Sequence, residues 1–214
     1  MKILSISAFF VLLPVVFCHY KHAEKDYSCR KLSPLSKGYH PDMMSRFVEF
    51  KRELRIGDVI VIRGRLGPGV LPQKRFYLDF PVGPTRYLKP KPATFPSTFH
   101  FSAQYDTGKQ IGAWFDGKDF RDIVTGNNLF TAAPFTIKIE VKQAGYEFSK
   151  DGVYVGYYGS LVYNTVSSIY MENVAVDDTH SCNDGPRCER LHGDKMTVII
   201  ADGHVQHIIG SCRW

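Results

Sequence analysis

The chain contains no Asn-x-Ser/Thr sequon, so it offers no site for the usual N-linked glycan. It has neither GxGxxG nor a GKT/GKS phosphate loop, which removes dinucleotide and P-loop readings. No G-x-S-x-G elbow is present, and no orienting acid completes a nucleophilic set around Ser102 and His100. Asp177 and Asp178 are adjacent and would point to opposite sides of a strand; so would His204 and His207, three residues apart. No catalytic residue, metal site or cofactor is therefore expected. The cysteine spacings make no paired CxxC knuckles, which argues against a zinc module. Heptads and sustained helical stripes are absent too. Lys51-Arg52 and Lys89-Pro90-Lys91 are the nearest things to basic clusters, and neither belongs to a nucleic-acid motif, so no nucleic-acid partner is expected.

What is present begins with an export signal over residues 1–18. Lys2 gives a positive start, Leu4 to Phe17 is apolar apart from Ser5, Ser7 and Pro14, and Val16 and Cys18 can frame a cleavage site. The run is too short, and too soon followed by charged residues, for a stable membrane span. The expectation is a secreted, extracellular protein of about 196 residues, since removing 18 of 214 leaves 196. Losing Lys2 changes the net charge from +6 to +5. Cys29, Cys182, Cys188 and Cys212 remain, an even count that suggests two disulfides outside the cell. Cys182 with Cys188 and Cys29 with Cys212 is one pairing; the crossed arrangements stay open.

Residues 19–45 form an irregular leader containing Pro34, Gly38 and Pro41. From Phe47 onward short strand patterns dominate. Leu54–Arg63 carries a β-branched cluster, and Arg75–Phe80 places Phe76, Leu78 and Phe80 on one face. In Phe99–Tyr105, alternation sends Phe99, Phe101, Ala103 and Tyr105 one way and His100, Ser102 and Gln104 the other. Ile111–Asp116 opposes Ile111, Ala113 and Phe115 to Gly112, Trp114 and Asp116, which puts Trp114 on the more polar side. Further strands are predicted over Thr136–Val141, Gly145–Ser149, Val153–Tyr158 and Ile169–Val176, with a tight turn at Lys150-Asp151-Gly152. A hairpin of Lys195–Ile200 and Val205–Ile209 ends the chain. The whole reads as all-β, a two-sheet antiparallel β-sandwich with an added C-terminal hairpin.

The order of these segments resembles the galectin carbohydrate-recognition domain. The likeness runs from about Phe47 to Asp178, through LRIGDVIVIRGRL, RFYLDF, FHFSAQY, AAPFTIKIEV, YEFSKDGVYVGYY and SSIYMENVAVDD. It implies a concanavalin A-like jelly roll over residues 46–178, with 179–214 as a cysteine-containing extension. It also implies non-catalytic binding of a glycan or glycoprotein, the family's ligands being β-galactosides. The family's alternating histidine, asparagine and arginine correspond to His100, Ser102 and Gln104, so only the histidine is retained. Serine has a shorter reach than asparagine, and glutamine lacks arginine's charged fork. Around Trp114-Phe-Asp-Gly-Lys-Asp-Phe-Arg121, Trp114 comes early for the family's stacking tryptophan, Phe120 can take that place, and Arg121 has no secure family role. The site candidates are His100, Ser102, Gln104, Trp114, Phe120 and Arg121. The alternative is an extracellular protein-interaction module on the same scaffold, with sugar binding lost.

Overall fold

The computed structural model describes residues 30–31, 46–66, 75–83, 95–159, 165–176, 187–189, 195–201, 204–209 and 211–213. The expected signal at 1–18, most of the leader, Cys29 and Cys182 lie outside the described residues. The strands are β1 Arg30–Lys31, β2 Arg46–Glu49, β3 Val59–Leu66, β4 Arg75–Pro81, β5 Ser97–Gln104, β6 Lys109–Phe115, β7 Phe120–Asn127 and β8 Phe135–Lys142. They continue as β9 Gly145–Lys150, β10 Val153–Gly159, β11 Ser168–Glu172, β12 Val174–Val176, β13 Arg187–Glu189, β14 Met196–Ala201, β15 His204–Ile209 and β16 Ser211–Arg213. One sheet runs β2-β11-β4-β5-β6-β7. The other runs β1-β15-β14-β3-β8-β9-β10, with β12 also on β3, and β13 pairs β16 separately.

Alternation builds the sandwich. Phe76, Leu78 and Phe80 of β4 and Phe99, Phe101 and Ala103 of β5 turn inward onto Ile60, Ile62, Ile137, Ile139 and Phe148 of the facing sheet, all buried. The interior is dominated by aromatic rings; Phe101 and Phe148 stack across the two layers at 4.5 Å and 18°. Phe76 meets Phe130 edge-on at 4.9 Å. The turn between β9 and β10 is set by its residues: Asp151 and Gly152 have φ of 50° and 79°, the two positive dihedrals that suit a tight hairpin.

Four features depart from the sequence expectations. The leader is not wholly irregular, because Arg30–Lys31 pairs with β15. Ile169–Val176 is two strands, not one: Asn173, at φ 61°, breaks it so that β11 stays in the six-stranded sheet and β12 crosses to β3. The Asn173 side chain secures that crossing by donating to the Arg75 carbonyl at 3.0 Å. Phe120–Asn127 is a strand, although exposed along its whole length as a sheet edge, so it carries no burial pattern to read. Finally the tail hairpin joins β3 in parallel, the only parallel pairing among the described residues, and lies in the sheet away from His100.

Candidate functional site: a cleft on the six-stranded sheet

The outer face of β4 carries Arg75, Tyr77 and Asp79, because Phe76, Leu78 and Phe80 occupy the inner one. Register brings Gln104, Ser102 and His100 of β5 opposite them in that order. On the other side β11 sets Tyr170 opposite Asp79 and Glu172 opposite Tyr77. Cross-strand partners share a face, so these groups form one polar floor. From β6 and β7 come Ile111, Phe115, Phe120 and Ile123, and together they enclose a cavity of about 400 Å³. That volume falls within the ~300–1,000 Å³ typical of small-ligand sites.

The floor is recessed. His100 is 8% exposed and Ser102 1%, so the polar side of β5 is reached through the cavity and is not the open ribbon that alternation alone suggests. The Phe120 ring lies 4.7 Å from the His100 ring and the Tyr77 ring 5.8 Å from it, flanking the imidazole. At the β2–β11 end, Phe47, Phe95 and Tyr170 pack into an apolar cluster.

His100 Nδ1 is 2.8 Å from Asp79 Oδ1. An ionised carboxylate can only accept, so Nδ1 is the protonated nitrogen in that pair. The Tyr170 hydroxyl donates to Glu172 Oε2 at 2.6 Å. Asp79 Oδ2 and Ser102 Oγ are buried without a partner. Burial pushes the Glu172 carboxyl above its ordinary range; the Tyr170 hydrogen bond opposes that shift and the Asp79 charge adds to it. Burial likewise raises Tyr77, with Arg75 drawing it back.

Of the six residues singled out in the sequence, His100, Ser102, Gln104 and Phe120 meet in the cavity. Trp114 and Arg121 are not among its lining residues. Gly112, two positions before Trp114 on the same side of β6, is packed against the Tyr158 ring, so that side is turned toward the opposite sheet. The chemical polarity of β6 is thus reversed from expectation: Ile111 and Phe115 face the cleft while Gly112 and Trp114 face away. Trp114 Nε1 donates to Asp122 Oδ2 at 2.7 Å. Arg121 donates to Asp116 at 2.9 Å and pairs with Asp119 at 3.4 Å.

Sequence reasoning missed Tyr77, Asp79 and Glu172. The first two were legible, since the same alternation that buries Phe76, Leu78 and Phe80 sends Tyr77 and Asp79 outward. Glu172 was not, because its position depends on the break at Asn173. Among the described residues no group of three His, Cys, Asp or Glu side chains could hold a metal ion.

The structure defines a two-sheet β-sandwich with a ligand-sized cleft on the outer face of its six-stranded sheet. No protein-family model and no curated protein matches the sequence. Solved structures similar to it include galectin LEC-6 of Caenorhabditis elegans, at TM-score 0.48 and 14% identity over 60% of this chain and 85% of that one. A doubly substituted human galectin-16 gives 0.49 and 15% over 60% and 88%. Sheep galectin-11, solved with glycerol, gives 0.48 and 12% over 63% and 93%. The likeness is distant, low in identity and partial in its coverage of this chain.

Proposed function

We propose that this chain is a secreted, non-catalytic glycan-binding protein whose ligand seats in the cleft beside His100. The observation that carries the reading is convergence: four side chains from two strands, His100, Ser102 and Gln104 of β5 and Phe120 of β7, line one cavity that combines a polar floor with an aromatic wall. Saccharide recognition asks for that combination, because hydroxyls need selective hydrogen bonds and the apolar face of the sugar needs a ring. The resemblance of the strand order to galectins supports the same reading, while Ser102 and Gln104 argue for a sugar preference of the chain's own. Asp79 orients His100 at Nδ1, but the Ser102 hydroxyl has no hydrogen-bond partner and so is not coupled to that base, which favours binding over turnover.

A broad glycan array probed with the purified protein tests this. Reproducible binding to a saccharide, lost on His100→Ala and Phe120→Ala, is the expected result; a blank array together with a specific protein partner mapped elsewhere would reject it. That outcome is the second reading, an extracellular protein-interaction module, favoured by Ile123 and Val124 on edge strand β7 and Val153, Tyr154 and Tyr157 on edge strand β10, all exposed.

Export through residues 1–18 belongs to the same proposal, and so does disulfide formation. The register of β13 and β16 sets Cys188 opposite Cys212, one of the crossed arrangements. A Cys188–Cys212 bridge leaves Cys29 for Cys182. Peptide mapping under non-reducing conditions should recover the 188–212 crosslink; a 182–188 peptide pair would contradict it.

A further inference from the structure

The unmet hydrogen-bonding capacity of the cleft has a chemical sign. Asp79 Oδ2, on a side chain only 3% exposed, is an acceptor with no partner, and Ser102 Oγ is a buried hydroxyl with none. Glu172 adds a second carboxyl on the same face, held by the Tyr170 hydroxyl. The one permanent cation in the lining, Arg75, is committed elsewhere: it lies 3.7 Å from Asp106 and hydrogen-bonds Tyr77. Among the described residues neither Asp79 nor Glu172 has a lysine or arginine within ion-pair distance. The chain as a whole carries +6, so this is an acidic recess in a basic protein. Apart from Gln104, its remaining walls are apolar or aromatic, with the Phe120 and Tyr77 rings beside His100.

Resting on the glycan-binding reading above, we propose that the saccharide taken by this cleft carries a free amino group, whose ammonium donates to Asp79 Oδ2 and Ser102 Oγ and is neutralised by Asp79 and Glu172. An ammonium has three donors and no acceptor, which matches a floor of vacant acceptors. Hydrogen bonds with both partners charged are roughly twice as strong as neutral ones, and a cation beside aromatic faces gains further. A sugar hydroxyl could donate to Asp79 but brings no charge. An N-acetylated amine loses its charge, and with it the attraction to the two carboxylates, while adding a carbonyl that must find a donor in the Ser102 hydroxyl or the Gln104 amide.

The titratable and charged groups facing the ammonium are Arg75, Tyr77 and Asp79 from β4, His100 from β5 and Glu172 from β11, with the buried Tyr170 hydroxyl behind Glu172; β6 and β7 contribute only Ile111, Phe115, Phe120 and Ile123. Because burial raises the Glu172 pKa, acid removes its negative charge earlier than for an ordinary carboxylate. Amine binding therefore weakens as pH falls.

Isothermal titration of the full chain with a β-1,4-linked glucosamine trisaccharide, its fully N-acetylated counterpart, lactose and a tri-lysine peptide tests the inference. The amino trisaccharide should bind at least about tenfold more tightly than the acetylated one, the ratio expected for one charge-assisted hydrogen bond against a neutral contact. Asp79→Asn should collapse that preference and leave weak binding. Should this variant not fold, Glu172→Gln reads the same loss, because an amide there still accepts from the Tyr170 hydroxyl. Equal or tighter binding of the acetylated sugar or lactose overturns the amine assignment while leaving the cleft a glycan site. Tighter binding of tri-lysine overturns the saccharide in favour of a protein partner. Binding of none of the four overturns the inference, and the glycan array then decides the broader reading separately.

Discussion

Gly112 shows how much of the sandwich hangs on single side chains. A Cβ built there would sit 1.9 Å from the Tyr158 ring, inside the space where the two layers meet near their edges. Tyr158 is itself buried and cannot swing aside into open solvent. Gly112→Ala should therefore force the layers apart locally and cost about 1–3 kcal/mol, the usual penalty of overpacking. Urea unfolding measures it, and an unchanged midpoint would contradict the packing described. Asp116 makes the opposite kind of contribution, at the surface. The amides of Asp119 and Lys118 donate to it, and so does Arg121, and these hold its carboxyl down from an ordinary 3.8 to about 2. A depressed folded-state pKa means that the stabilisation is complete above the ordinary carboxylate range and is lost as pH falls toward 2. NMR titration of the Asp116 carboxyl should find its midpoint near 2; a midpoint near 4 would show that the loop bonds are not formed in solution.

Among the elements, the tail hairpin is the one whose attachment most needs explaining, because an isolated two-stranded hairpin is marginal in water. Asp58, fully buried just before β3, supplies an anchor. Its Oδ1 accepts from the Met196 amide at 2.7 Å across 138 residues of chain, while Arg52 forks onto both oxygens at 2.6 and 2.9 Å and the Arg55 amide adds a fourth bond. Removing such a carboxylate strands a partly buried guanidinium and two amides, so Asp58→Ala should destabilise by about 3–5 kcal/mol. Hydrogen exchange should show β14 and β15 losing protection with it; full protection of the hairpin in the variant would refute the anchor. The hairpin was legible in the sequence from its two apolar runs, and β9–β10 from the Lys150-Asp151-Gly152 turn. What joins the hairpin to the sandwich was not, because parallel pairing of β14 with β3 depends on a contact between distant segments. β7 escaped detection for a different reason: alternation records burial, and an edge strand exposed on all eight residues leaves no such record. The reversed faces of β6 show the limit of polarity as a guide. Gly112 turns inward because a ring needs its space, and Ile111 and Phe115 turn outward because the cleft has an apolar wall.

At the scale of the whole molecule, two features of opposite character share the same strands. The inner sides of β4 and β5 are aromatic and form the interior; the outer sides are polar and form the floor of a cleft. A rigid core thereby holds Asp79, His100 and Ser102 in fixed positions, which reduces the ordering cost that a ligand would otherwise meet on binding. The tail lengthens the other sheet, and its described strands leave the cleft open. The most direct test of a ligand site in that cleft is a titration of the isotopically labelled protein with the saccharide panel, followed by chemical-shift mapping. The account expects saturable shifts centred on His100, Ser102, Gln104 and Phe120, extending to Asp79 and Glu172. Shifts confined to the β7 and β10 edges, or no saturable shift with any saccharide, would contradict it.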